Sequence, residues 1–135
     1  GIVGIAAAKA GAASVFASDV DPLASAAIQL NADQNNVRVG ICRALDLDRA
    51  FIDANVILAA DVCYEQVESI KILRWLHMAA AAGADVWLAD SGRGYAPDPN
   101  DDRLRLKEKA RYTVPVRREL EDRDVRDVTV WQVGE

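Results

Sequence analysis

Residues 1–40 constrain this chain more than any other stretch. The run Gly1-Ile2-Val3-Gly4-Ile5-Ala6-Ala7-Ala8-Lys9-Ala10 is dominated by alanine, the strongest helix former, and Gly11 marks a helix end. Val15 to Ser18 is a short apolar run of the buried-strand kind. Asp19-Val20-Asp21-Pro22 follows, in which Asp21 can cap free amides and Pro22 suits a first helical turn. Helix, strand, terminal acid and capped helix in that order make half of a nucleotide-binding α/β unit. In such units a carboxylate at the strand's C-terminal end grips a ribose. Gly1 stands where a preceding strand would have just finished. The pattern therefore predicts most of a cofactor-binding domain with its first strand missing from the given sequence, and a longer native chain, since a fold lacking that strand would leave unpaired backbone edges.

The rest of the chain continues the alternation. The second helix buries Leu23, Ala26, Ala27 and Leu30 and frays between Asn31 and Asn36. Val37–Cys42 alternates as a strand, and Val56–Ala60 is a continuous apolar run typical of a central parallel strand, ending in Asp61. An amphipathic helix over residues 66–82 carries Val67, Ile70, Leu73, Trp75, Leu76 and Met78, and Gly83 stops it. Val86–Ala89 supplies another buried strand, ending in Asp90. A Gly-, Pro- and Asp-rich loop then leads to a helix expected over 102–110. Strands around 112–120 and 128–133 close the chain as an antiparallel hairpin, with Pro115 pushing the first toward an edge. The expected fold is one α/β domain over residues 1–135, a mostly parallel sheet with a terminal antiparallel hairpin.

Composition narrows the function classes. A chain of 135 residues, 51% hydrophobic, can bury a core of its own. Its net charge of −5 argues against a protein held to nucleic acid by nonspecific phosphate contacts. The basic residues Arg103, Arg105, Lys107, Lys109 and Arg111 alternate with Leu and Glu and read as a solvated helix face. Nothing is long and apolar enough to span a bilayer, and no secretory signal opens the given sequence. Cys42 and Cys63 lie in apolar runs, as buried reduced thiols of a cytoplasmic protein do. A lone histidine, His77, and no Cys/His cluster speak against a zinc site.

Three predicted strands end in acids: Asp19, Asp61 and Asp90. Ligands of open α/β sheets bind at the carboxyl edge, so these are candidates for a site. Each also has a plainer reading, since Asp suits turns and caps. Asp19 is read as the ribose acid, and Asp21 as a helix cap. Gly1-x-x-Gly4 is a weak signal: glycine lets amides approach an anionic or polar ligand, or lets a helix pack closely on a strand, the reading preferred for Gly4. Asp61-Val62-Cys63-Tyr64 places an acid and a phenol directly after the apolar run. That pair can orient a substrate amine and cover a ligand, or it can be an ordinary strand-to-helix turn. In Asp90-Ser91-Gly92-Arg93-Gly94, Arg93 either forms an ion pair or faces substrate. Cys63 has no histidine near a strand end to activate it and is set aside as a nucleophile.

These residues together resemble a known family. The glycine-alanine helix, Ala17-Ser-Asp-Val-Asp-Pro, Leu30-Asn, Asp61-Val-Cys-Tyr and Asp90-Ser-Gly-Arg are similar to the class I, seven-β-strand S-adenosylmethionine-dependent methyltransferases. Within these the chain is most similar to protein lysine methyltransferases with a D-x-x-Y/F motif, the electron-transfer flavoprotein β-subunit branch above all. The resemblance implies a Rossmann-like fold and S-adenosylmethionine as cofactor. It places Gly1 at the end of the methionine-binding loop, Asp19 on the ribose hydroxyls and Val20 near the adenine. Ala44 and Leu45 fall at the adenine edge, with Asp46 slightly late for the usual acid, and Ala60 borders the cofactor. Asp61 and Tyr64 face cofactor and target lysine as the catalytic pair.

The implied reaction is methyl transfer to a protein lysine, with no nucleic-acid or membrane partner. A ribosomal protein or small-molecule acceptor, or a nucleotide-binding domain without catalysis, are the alternatives. A dehydrogenase has no use for the closing hairpin or the Asp-x-x-Tyr turn.

Overall fold

The computed structural model describes residues 1–42, 47, 53–101 and 104–134. Ala44, Leu45 and Asp46 lie outside the described residues. The chain forms two compact units, residues 1–46 and 47–135, each with a sheet of its own.

The first unit comprises α1 (Ile2–Lys9), β1 (Phe16–Ser18), α2 (Pro22–Gln34) and β2 (Gly40–Cys42). β1 and β2 pair in parallel, with Phe16 opposite Gly40. A Cβ on Gly40 would lie 2.6 Å from the Phe16 ring, so the glycine is the floor on which that ring rests. Ile5, Ile28, Ala32 and Val39 make the core, flanked by Val15, Ala17, Val37 and Ile41. Gly4 faces Val15 and Val39 at 3.4 and 3.7 Å from its would-be Cβ, the close helix-on-strand packing expected of it.

Asp21 caps α2 as expected, its Oδ1 accepting from the Leu23 amide at 2.8 Å, with Pro22 in the first turn. The expected fraying after Asn31 does not occur. α2 runs to Gln34 and closes with Asn36 in the left-handed region, the Val37 amide reaching back to the Ala32 carbonyl at 3.1 Å. Asparagine tolerates that conformation, so a polar run that suggests fraying is a well-formed Schellman end.

The second unit comprises β3 (Val56–Ala60), α3 (Gln66–Ala81), β4 (Asp85–Asp90), β5 (Leu106–Pro115), α4 (Arg118–Glu121) and β6 (Val125–Val133). Its sheet order is β3-β4-β6-β5, with β3/β4 parallel and both other pairs antiparallel. Val86, Leu88 and Asp90 alternate onto one buried face of β4. Trp75, Leu76 and Ala79 of α3 pack there with Val86, Leu88, Trp131 and Val133. The terminal antiparallel pair is present as expected.

Several further expectations are corrected. α2 buries Ile28 and Ala32, one turn apart, while Leu23, Ala26, Ala27 and Leu30 are exposed. β1 is not wholly buried, since Phe16 is exposed. Residues 106–110 are strand rather than helix, because they pair antiparallel with β6, Leu106 opposite Val133 and Ala110 opposite Val130. Their burial does not alternate, since Lys107, Glu108 and Lys109 are all exposed, and the pairing alone fixes the strand. The following strand ends at Pro115, and residues 118–121 form a helical turn. β3 has only β4 beside it in its sheet, so Val56 and Leu58 are exposed instead of buried in a central position.

Candidate functional site

In the first unit, chain direction fixes which groups share an end. β1 ends at Ser18 and α2 starts at Pro22, so Asp19 and Val20 lie between the C-terminal end of β1 and the start of α2. Gly1 immediately precedes α1. Asp19 is exposed, and its Oδ1 accepts from the Asp21 amide at 3.0 Å. A carboxylate has about four acceptor positions, so one local bond leaves capacity for further donors. Val20 is 82% exposed. A Cβ on Gly1 would lie 2.9 Å from Ile28 Cγ1, so close approach of α1 to α2 accounts for this glycine. A cavity of about 470 Å³ bordered by Ala8, Ser14, Asn36 and Arg38 lies at the opposite end of β1, away from Asp19.

In the second unit, right-handed passage from β3 through α3 to β4 brings the C-terminal ends of both strands beside the start of α3. Ala60 is the last residue of β3 and pairs with Ala89. Asp61 follows with φ of 54°, a left-handed conformation that turns the chain out of the sheet, its amide held by the Ala89 carbonyl at 3.0 Å. Both carboxylate oxygens are gripped by Arg93: Nε donates to Oδ1 at 2.6 Å and Nη2 to Oδ2 at 2.7 Å. This bidentate bond holds the Asp61 carboxyl below the usual carboxylate range against a smaller opposing effect of burial. The Arg93 and Arg126 charges add to the lowering. Of the two readings open for Arg93, the structure has the ion pair.

Asp90 is buried at the end of β4, and its Oδ1 accepts from the Gly92 and Arg93 amides at 2.7 and 2.8 Å. It thereby fixes the turn from which Arg93 reaches Asp61. The other oxygen, Oδ2, is buried with no hydrogen-bond partner among the described residues. Cys63 is fully buried; burial and the nearby Asp90 charge push its thiol up to about 11, so it stays protonated at neutral pH. Ser69, on the first turn of α3, is buried and donates its hydroxyl to the Glu65 carbonyl. Tyr64, in the turn before α3, is 62% exposed. The structure thus joins Asp61, Arg93 and Asp90 in one hydrogen-bonded group. Asp61 and Asp90 are visible in the sequence as strand-end acids; their connection through Arg93 has no local sequence signal.

This architecture is shared with solved methyltransferases. A Pyrococcus abyssi tRNA (uracil-54, C5)-methyltransferase, solved with S-adenosyl-L-homocysteine, superposes with a TM-score of 0.66 at 13% identity, over 96% of this chain and 31% of that one. Magnesium protoporphyrin IX methyltransferase from Synechocystis PCC 6803, solved with bound S-adenosylmethionine, gives a TM-score of 0.62 at 15% identity, over 98% of this chain and 64% of that one. The fold is that of the class I S-adenosylmethionine-dependent methyltransferases. Residues 1–73 match the model of the ribosomal protein L11 methyltransferase (PrmA) family, and the chain belongs to that family. It is also 28% identical over 134 residues to the electron transfer flavoprotein β-subunit lysine methyltransferase of Danio rerio. That match takes in 98% of this chain and 52% of the relative, so the chain spans about half the relative's length.

Proposed function

We propose that this chain is part of an S-adenosylmethionine-dependent methyltransferase that modifies a lysine side chain of a protein. The observation that carries the reading is Asp61: an ionised carboxylate, half exposed, held by the backbone at the end of β3 in an Asp-x-x-Tyr turn. Membership of the PrmA family and likeness to a lysine methyltransferase support the class and the acceptor respectively.

The end of β1 suits a nucleoside, since Asp19 keeps acceptor capacity for a pair of ribose hydroxyls and Val20 offers an exposed apolar surface to a base. Gly1, at the start of α1, would border that nucleoside. When bound, S-adenosylmethionine supplies a methyl group on a sulfonium, open to in-line attack. The chain's own work is then positioning, which can supply about 7–11 kcal/mol of barrier reduction. Asp61 accepts a hydrogen bond from the acceptor nitrogen and aligns it, and Tyr64 shields the site from water.

The test uses the full-length protein with labelled S-adenosylmethionine and candidate acceptor proteins. Asp61→Asn should lower kcat/KM by about 10-fold to 100-fold, the loss expected for a charged hydrogen bond of about 1.5–3 kcal/mol. Undiminished turnover overturns the role of Asp61. Label on a residue other than lysine overturns the acceptor. The family's own name favours a ribosomal protein as the second acceptor to try. Cofactor binding without transfer to any acceptor would leave a nucleotide-binding domain.

A further inference from the structure

The pairing of Asp61 with Arg93 bears on what the site admits. Arg93 Nε and Nη2 take both oxygens of the carboxylate proposed to hold the acceptor. An acceptor nitrogen can gain Asp61 only by displacing at least one of these donors. Around the pair the construction is uneven. The Arg93 backbone is anchored by buried Asp90, and the Ala96 amide donates back to the Arg93 carbonyl at 3.0 Å. The ion pair itself is open to solvent, with side-chain exposures of 32% for Arg93 and 50% for Asp61. Gly92 and Gly94 on either side have nothing within 4 Å of a would-be side chain. The partly exposed guanidinium can leave Asp61 by side-chain rotation while its turn stays put. Water and salt screen a solvent-exposed pair, so a competing cation meets less resistance here than at a buried one.

We infer that Arg93 is a specificity-determining residue: a built-in cation that a lysine ammonium replaces on Asp61, so that the acceptor docks in its charged form and releases one proton to the solvent that reaches the pair before its nitrogen attacks. This rests on the lysine reading above and refines it. Exchange of one cation for another leaves the carboxylate paired throughout. A neutral acceptor offers no charge to compensate the lost guanidinium, and an anionic one is repelled by Asp61 and Asp90. Arg126 does not serve as a substitute occupant, because its own guanidinium is engaged by Glu121.

The experiment compares the full-length wild-type protein with Arg93→Ala and Arg93→Gln, which keeps much of the length without the charge. One arm measures KM for a lysine-bearing protein acceptor. The other titrates n-butylammonium chloride against the Asp61 carboxylate carbon signal, followed by NMR with no acceptor present. Removing the competitor should lower KM about fivefold or more and tighten n-butylammonium binding by a similar factor. The inference is overturned if both Arg93 variants leave n-butylammonium affinity unchanged or weakened, or raise KM, which would place Arg93 on the acceptor itself. If no acceptor is methylated at all, the methyltransferase reading falls, while the n-butylammonium arm still decides whether Arg93 competes for Asp61.

Discussion

Asp61 combines a chemical role with a conformational one. Its φ of 54° is a backbone state that asparagine and aspartate adopt more readily than alanine. Asp61→Asn therefore keeps the turn while removing the charge, whereas Asp61→Ala adds strain of about 1–2 kcal/mol. Urea unfolding should rank the alanine variant below the asparagine variant by about 1 kcal/mol. Equal stability would show that the turn tolerates any residue. Cys63 gives a second residue-level prediction. Its thiol is raised from 9.0 to about 11, so the unfolded chain ionises it first as pH rises. Its contribution to stability is whole below pH 9 and is lost as pH climbs toward 11. Under native conditions at pH 8 a thiol reagent should label half-buried Cys42 and spare Cys63. That acids end these strands was legible from the sequence. The Arg93 grip on Asp61 spans 32 positions, and only the fold can bring those residues together.

Among the elements, β4 and α3 carry the larger core. Leu88 is wholly buried against α3, and Leu88→Ala should cost about 2–5 kcal/mol in denaturant unfolding. Asp21→Ala should cost only about 1 kcal/mol, since it removes one capping bond at the exposed start of α2. A cap loss as large as the core loss would mean that α2 nucleates the first unit. α3 and β4 were legible because their apolar spacing is unambiguous: helical in Trp75, Leu76 and Ala79, two-residue in Val86 and Leu88. Residues 102–110 misled because lysines and arginines on an edge strand can mimic a charged helical face. Arg111 and Glu108, three apart, even form the ion pair expected on a helix, although they lie in β5. The partner strand β6 decides the matter, and no local propensity reports a partner.

On the scale of the whole molecule, the alternating order of helices and strands announced an α/β fold, and the final antiparallel pair was readable from its β-branched residues. Which strands would stand at a sheet edge was not, because an apolar run such as Val56–Ala60 looks the same with one neighbour or two. Charge is the other property of the whole chain. With 21 acidic against 16 basic residues, the chain should pass through heparin at 50 mM salt and pH 7 without retention. Retention would reveal a local basic surface that net charge conceals.

The break in register between Glu108 and Ala110, with Pro115 at the strand's end, has a bearing on how this chain behaves when crowded. A growing fibril needs an uninterrupted rail of amide and carbonyl groups on which the next molecule can seat. The outer side of β5 offers only short lengths of rail, kinked once and then cut off where proline lacks an amide. The hindrance falls on the seating of the first incoming strand, which finds no long straight run to pair with.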